Sequence, residues 1–267
     1  AFSRNLKTTS NLNAGTYLCI MSLPHDTITP FSDSDKAKKV QVAEMFDRIA
    51  DRYDFMNRFL SARVDMIWRK KALLKLQSNR PKQILDVATG TADLALMAYD
   101  LLKPDHIKGI DISTGMLQGG REKIKMRQLT DKITLEAGDA ETINSPSDSF
   151  DAVMVAFGVR NFEHLHAGLT EMLRVLKSGG QLMVLEFSTP RNWFIKFIYN
   201  LYMQQIAPFF ARLFNTDHQA YAYLNKSTNA FPDRATFCNL LKEAGYTDVR
   251  YESLTFGICC IYTAQKK

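Results

Sequence analysis

The 267-residue chain predicts an α/β fold built on a mainly parallel, seven-stranded sheet. Three observations predict it. From residue 83 onward, short apolar runs alternate with segments of helical periodicity, the order that parallel strands and crossover helices produce. The last two runs are separated only by Thr255-Phe256-Gly257, which suits an antiparallel hairpin at one edge of the sheet. With 46% of residues apolar and 23% charged, the chain can fill one substantial core and is excluded from the disordered class.

Taken in order, residues 1–25 contain no Asp or Glu, carry Arg4 and Lys7, and are rich in Ser, Thr and Asn. They read as a flexible leader or an extension upstream of a start at Met21, with an organelle-targeting segment as the second reading. The leader is expected to run to about residue 35, and residues 36–267 to form a single domain. Residues 35–76 are helical and strongly charged. Val42, Met45, Phe46, Ile49, Tyr53, Met56 and Phe59 recur at spacings of three and four, and a second helix from about residue 65 carries Trp68 and Arg69-Lys70-Lys71. Strands are expected at 83–88, 106–111, 133–137, 150–156, 181–187, 249–254 and 258–264. Helices are expected at 91–102, 114–127 and 165–176, with a short connection through Pro146.

Residues 193–214 interrupt the alternation with 8 of the chain's 29 aromatic residues. Their charge-free stretch is too short and polar to span a bilayer, so a buried or interfacial helical cap, about 190–230, is expected. The four cysteines lack CxxC spacing, which indicates a reducing compartment and no disulfide framework. The net charge of +6 is confined to residues 1–80, which hold 14 Lys/Arg against 8 Asp/Glu, while the remainder holds 20 against 20. A neutral body without a recognition motif argues against nucleic acid; the basic region reads as a solvated helix face or a contact for an anionic membrane.

The chemistry is concentrated where strands end. Ligands of an open parallel sheet bind beyond the strand carboxyl ends, and the first strand-to-helix turn reads Asp86-Val87-Ala88-Thr89-Gly90-Thr91-Ala92-Asp93. Gly90 permits close backbone approach and Thr91 offers a hydroxyl. The second strand ends in Asp111, placed to accept hydrogen bonds from the ribose hydroxyls of an adenosine moiety; its competing role as a helix N-cap can pass to Ser113. The third strand ends at Asp139-Ala140, beside an adenine edge, and the fourth runs into Ala156-Phe157-Gly158-Val159-Arg160-Asn161. The turn lacks the GxGxxG of nicotinamide sites, and this favours S-adenosylmethionine, which has no pyrophosphate, over NAD. Gly179-Gly180 provides the tight turn into the fifth strand.

Over residues 39–267 the chain resembles the S-adenosylmethionine-dependent C-methyltransferases of menaquinone and ubiquinone biosynthesis. The resemblance is carried by Tyr53-Asp54-Phe55-Met56-Asn57, Ser61, Trp68-Arg69, the AFGVRNF stretch at 156–162, RVLKSGGQLMVLEFS at 174–188, Tyr221 to Leu224, and Leu254-Thr255-Phe256-Gly257. It implies the class I methyltransferase fold with an antiparallel C-terminal edge strand, and cofactor contacts from Thr91, Asp111, Asp139, Ala140 and Ala156, with Asp86 and Gly90 in the same turn. It also implies that Arg160 and Asn161, with Asp93 completing the network, position a quinol or a proton-accepting water, and that Tyr53, Asp54 and Asn57 help to place the substrate. His164 and His166 read as surface residues at a helix start, and no metal site is expected.

Three positions depart from the family pattern. Gly90-Thr91-Ala92-Asp93 stands for GTGD, Ser61-Ala62-Arg63 for SxG, and Leu176-Lys177-Ser178 opens what is usually LKPGG. Ala92 would narrow the cofactor space if its φ were positive. By resemblance the substrate is a prenylated quinol, demethylmenaquinol, drawn from a membrane that the protein contacts peripherally at its cytoplasmic side; a mitochondrial matrix location goes with the targeting reading, and a homodimer is left open. Ubiquinone precursors, another small phenol, a nicotinamide-dependent oxidoreductase and a noncatalytic cofactor-binding subunit are the alternatives.

Overall fold

The computed structural model describes residues 23–206, 209 and 218–267. Its single sheet contains all seven expected strands: β1 (Gln83–Val87), β2 (His106–Asp111), β3 (Ile133–Ala137), β4 (Phe150–Ala156), β5 (Leu176–Phe187), β6 (Thr247–Leu254) and β7 (Cys259–Gln265), in the order β3-β2-β1-β4-β5-β7-β6. β1 to β5 are parallel, and β7 is antiparallel to both its neighbours. The hairpin therefore forms at the sheet edge as expected, but its antiparallel member β7 takes the inner place and β6 the outer one. Their burial explains this: Cys259, Cys260, Ile261 and Tyr262 are almost wholly buried, whereas Thr247–Leu254 is exposed along most of its length.

Alternation along β1 sends Leu85 and Val87 to one face, and Ile84 and Asp86 to the other. The first face packs against α5 (Leu165–Val175) and α8 (Ala235–Glu243) through Leu169, Met172, Phe237 and Leu241. The second packs against α2 (Val64–Leu74), α3 (Asp93–Leu102) and α4 (Thr114–Met126) through Leu73, Ala95 and Leu117. Strand order reverses between β1 and β4, so the carboxyl ends of β1, β2, β3 and β4 surround one crevice. α1 (Lys38–Leu60) lies across that crevice with Val42 and Met45 buried against Tyr223 of α7 (His218–Ala230). α6 (Trp193–Leu201) and a π-helical turn over Tyr202–Ile206 precede α7.

Within the expected leader, residues 23–31 pack against the domain. Leu23 packs against the main core, His25 is wholly buried against Phe231, and Ile28 and Phe31 join the α1–α7 cluster, because this segment supplies apolar side chains that α1 and α7 leave uncovered. The other calls on the leader, residues 1–22, lie outside the described residues. Gly180 is required inside β5, where a Cβ would stand 2.8 Å from the Lys177 carbonyl as the chain bulges through Gly179 at φ +76°.

α1 ends because Ala62 and Arg63 turn left-handed, at φ +47° and +63°. The second of these is where the family carries glycine, and Arg63 is exposed. Arg63→Gly should stabilise the fold by about 0.5–1 kcal/mol, the net of relieving left-handed strain and loosening the unfolded chain. Urea unfolding checks this, and an unchanged or lowered midpoint contradicts it. Ala92 is also left-handed, at φ +63°, so the condition for narrowing the cofactor space is met. Its buried methyl faces Gly120 of α4 instead of the crevice, and the space is not narrowed.

Candidate active site

The first cleft, about 670 Å³, is bounded by Gly90, Asp111, Ile112, Asp139, Ala156 and Asn161 beneath α1. Three left-handed residues, Ala88, Gly90 and Ala92, fold the β1–α3 turn tightly, and a Cβ on Gly90 would point into open space. The Gly90 N–H donates to Asp111 Oδ2 at 2.8 Å, and the Ser113 N–H to Asp111 Oδ1 at 2.9 Å. Each carboxylate oxygen thus keeps lone pairs for a ligand while its direction is fixed by backbone. Burial pushes the Asp111 carboxyl above its usual range, against the pull of those backbone donors. Ser113 is the N-cap of α4 as the sequence reading allowed, accepting from the Met116 N–H at 3.2 Å.

Asp139 is held by the Glu141 N–H at 2.9 Å and by Lys39 of α1 at 3.1 Å. Asn161 reaches the Phe157 carbonyl through Nδ2 at 3.4 Å, while its buried Oδ1 accepts from no described residue. Asp86, on the α2–α3 face of β1, accepts from the Thr89 hydroxyl at 2.6 Å through Oδ2; Oδ1 is buried and unpartnered. Burial pushes the Asp86 carboxyl up to about 7. Two orphaned acceptors and a bare glycine beside a carboxylate fit an adenosine-bearing ligand that also carries donors, which is what S-adenosylmethionine requires.

Three sequence expectations change here. The Thr91 hydroxyl, expected on the cofactor, donates to Asp54 Oδ1 at 2.6 Å. Asp54, expected near the substrate, is committed to that bond and to an ion pair with Lys123. Asp93, expected in a proton-transfer network with Arg160, bonds Arg58 at 2.7 Å and Lys123 at 2.7 Å. Burial opposes ionisation of Asp93, but Lys123 and Arg58 together hold it below the usual carboxylate range. A carboxylate paired with two cations is a poor base. These residues instead tie α1 to α3, α4 and the β1–α3 turn, assisted by Asp47, which accepts from the Ser113 hydroxyl at 2.6 Å and the Gly115 N–H at 2.8 Å. Such pairings depend on side chains from three helices, which no local spacing reveals.

The second cleft, about 810 Å³, is aromatic and carries Arg160. Trp68, Phe157 and Phe187 form its wall: the Phe157 and Phe187 rings lie 4.6 Å apart, and Trp68 is 6.4 and 6.3 Å from them. The Trp68 indole N–H donates to the Thr255 hydroxyl at 2.8 Å, fixing α2 to the β6–β7 turn. Arg160 Nη1 donates to Glu186 Oε1 at 2.8 Å and to the Phe157 carbonyl at 2.5 Å, and the guanidinium lies 5.5 Å from the centre of the Phe187 ring. Glu186 is completely buried. Burial works against the Arg160 charge, yet Glu186 and the neighbouring tyrosine hydroxyls raise its affinity for the proton above the usual arginine value. Arg160 is thus a permanent cation, ion-paired with Glu186, that lines the aromatic cleft and whose buried Nε has no partner among the described residues.

Phe46, Tyr53 and Phe157 line both clefts and so mark where they communicate. The Tyr53 hydroxyl hydrogen-bonds the Asn57 side chain; burial raises it, partly offset by Arg160 and Arg69. Asn57 lines the second cleft with Tyr53, as expected for substrate-side residues. His164 and His166 line neither cleft. Sequence reasoning did not assign Arg69, Phe157, Phe187 or Glu186 to the site, although all four lie in motifs that were singled out; a charged residue in an otherwise apolar strand was the further signal for Glu186.

The model of the ubiE/COQ5 methyltransferase family matches residues 34–266. The demethylmenaquinone methyltransferase of Bacteroides fragilis is 44% identical over 246 residues, covering 92% of this chain and 100% of the relative. The ubiquinone/menaquinone biosynthesis C-methyltransferase of Geobacter sulfurreducens is 41% identical over 240 residues, 90% of this chain and 93% of the relative. Among solved structures, a SAM-dependent methyltransferase of Thermotoga maritima superposes with TM-score 0.59 at 18% identity, covering 84% of this chain and 99% of that one, which speaks for the fold.

Proposed function

The chain belongs to the ubiE/COQ5 methyltransferase family, and from that premise we propose that it methylates the ring carbon of demethylmenaquinol to give menaquinol. It is an S-adenosylmethionine-dependent C-methyltransferase of quinone biosynthesis. The observation that carries the substrate assignment is the shared wall of Phe46, Tyr53 and Phe157. It joins a polar cleft suited to adenosine to an aromatic cleft that carries Arg160 clamped by Glu186.

When bound, S-adenosylmethionine supplies a methyl group already activated by a sulfonium. The residues of the chain then have three tasks. Asp111, with Gly90, Asp139, Ala140, Ala156 and Asn161 around it, holds the adenosine part. Trp68, Phe157 and Phe187 hold a flat ring and keep water from it. Arg160, clamped by Glu186, presents its free N–H to a quinol oxygen and stabilises the phenolate formed when that hydroxyl loses its proton to water. The phenolate pushes electron density to the adjacent ring carbon, which forms the new C–C bond as the sulfonium S–CH3 bond breaks and its electron pair stays on the sulfur; that carbon's proton then passes to water, which restores the aromatic ring. Among the described residues no histidine lines the cleft, and the group placed there to ease loss of the hydroxyl proton is the Arg160 cation.

A prenylated substrate requires a membrane contact, and α6 supplies a candidate. Trp193, Phe194, Phe197, Ile198 and Leu201 share one face and are exposed, Trp193 by 78%, while Tyr199 is buried on the inner face near Arg160 and Glu186. No described helix is long and apolar enough to cross a membrane. The basic cluster of α2 contributes less than its charge implies: Arg69 is buried, and Lys71 bonds Glu252 at 2.5 Å. We therefore assign peripheral docking on the cytoplasmic side to the α6 face. Trp193→Ser with Phe197→Ser should weaken sedimentation with phosphatidylglycerol-containing vesicles about tenfold or more, because each ring loses on the order of 1 kcal/mol of partial burial. Turnover of a short-tail quinol should persist. Unchanged sedimentation would remove α6 from docking.

The function itself is tested by mass spectrometry of a short-chain demethylmenaquinol incubated with the protein and S-adenosylmethionine under reducing conditions. A gain of one methyl on the ring is expected. Methylation of a ubiquinone precursor but not of demethylmenaquinol would move the substrate to the other branch that the Geobacter relative is named for.

A further inference from the structure

We propose that Tyr223 of α7 is a second catalytic donor, its hydroxyl hydrogen-bonding the same quinol oxygen as Arg160 while that oxygen becomes a phenolate. The proposal rests on methylation of a quinol ring in the aromatic cleft. Tyr223 lies in the Tyr221 to Leu224 motif, and the inner face of α7 turns it towards the site. Ala220 and Tyr223 share that face and pack on Val42 and Met45 of α1. With Leu224 they close one side of the cleft.

The Tyr223 ring serves the fold, but its hydroxyl is spare. The residue is 2% exposed, and the hydroxyl is buried without a partner among the described residues. An unpaired buried hydroxyl costs free energy that a phenylalanine would avoid, so its presence calls for a ligand. Its polar neighbours are committed elsewhere. Tyr53 bonds Asn57, the Ser61 hydroxyl bonds Asp65, and Asp65 pairs with Arg69. Glu186 accepts from Arg160 Nη1 and the Phe187 N–H through Oε1, and from the Arg160 N–H at 3.3 Å through Oε2. Among the described residues, the buried side-chain polar atoms of this cleft that stay unpaired are Arg160 Nε and the Tyr223 hydroxyl. The two groups are close enough for the charge of each to act on the proton of the other.

The chemistry suits such a pair. Burial pushes the Tyr223 hydroxyl well above the usual tyrosine range; Arg160 offsets part of this, and Glu186 adds to it. The hydroxyl therefore keeps its proton and acts as a donor, not as a base. When the quinol hydroxyl gives its proton to water, its oxygen gains a negative charge. A neutral donor already fixed beside that oxygen strengthens its bond as the charge develops, and needs no rearrangement to do so.

The test is Tyr223→Phe, which keeps the ring and removes one oxygen. With a short-chain demethylmenaquinol and S-adenosylmethionine under reducing conditions, kcat should fall about a hundredfold, the cost of removing one oxyanion donor, while the quinol KM stays near its wild-type value. S-adenosylhomocysteine, the demethylated cofactor, should bind as to wild type, because Tyr223 lines the aromatic cleft and not the adenosine cleft. The urea midpoint should hold or rise, since the unpaired hydroxyl is gone. Wild-type turnover in the variant overturns the proposal. A raised KM at unchanged kcat overturns it too, placing Tyr223 on the second quinol hydroxyl. So does a loss of turnover accompanied by a lowered urea midpoint, which makes the hydroxyl part of the fold. Wild-type protein that methylates no quinol would instead overturn the functional reading on which the proposal rests.

Discussion

Arg160→Met should lose at least about a hundredfold in turnover, the scale set by removing one oxyanion donor from a preorganised site. It should also lose about 3–5 kcal/mol of stability, because Glu186 would remain completely buried without its cation. The two effects separate in Arg160→Met with Glu186→Gln. There the stranded charge is gone, so most of the stability should return, while turnover stays low because no cation faces the quinol oxygen. S-adenosylhomocysteine affinity should be close to wild type in the double variant, since Arg160 borders the aromatic cleft and not the adenosine cleft. Chemical denaturation and single-turnover kinetics measure the two quantities independently. Recovery of turnover together with stability would reduce Arg160 to a fold-holding residue.

Asp111→Ala should weaken S-adenosylhomocysteine and 5′-methylthioadenosine together, by roughly 30- to 1000-fold, corresponding to about 2–4 kcal/mol of charge-assisted hydrogen bonding to ribose hydroxyls. Asp111→Asn should recover little. Its amide NH2 must face either the Gly90 or the Ser113 N–H, both of which need an acceptor. Isothermal calorimetry on both ligands decides the matter, and near-native affinity in Asp111→Ala would remove Asp111 from the ribose.

How much of this was legible in the sequence depends on how local each signal is. Strand positions, the carboxylate at the end of β2 and the glycine of the β1–α3 turn lie within single runs of a few residues, where periodicity and turn chemistry act directly. Asp54, Thr91 and Asp93 were legible as members of strand-end and helix motifs, but their pairings were not. Their partners, Arg58 and Lys123, come from helices whose relative placement only the packed fold defines. Residues 23–31 show the same limit: a polar-looking leader contributes Leu23, His25, Ile28 and Phe31 to clusters whose other members lie about 10 to 240 positions away.

The sequence by itself determined the sheet, the family and the carboxylate at the end of β2, because strand alternation and strand-end motifs are properties of short contiguous segments. Tertiary structure alone decided which cations line the clefts and which tie the helices together. Arg160, Arg69, Arg58 and Lys123 look equivalent in sequence. What distinguishes them is the carboxylate that each meets when α1, α2, α4 and β5 converge on the crevice, since a buried charge is usable only where a partner holds it in place.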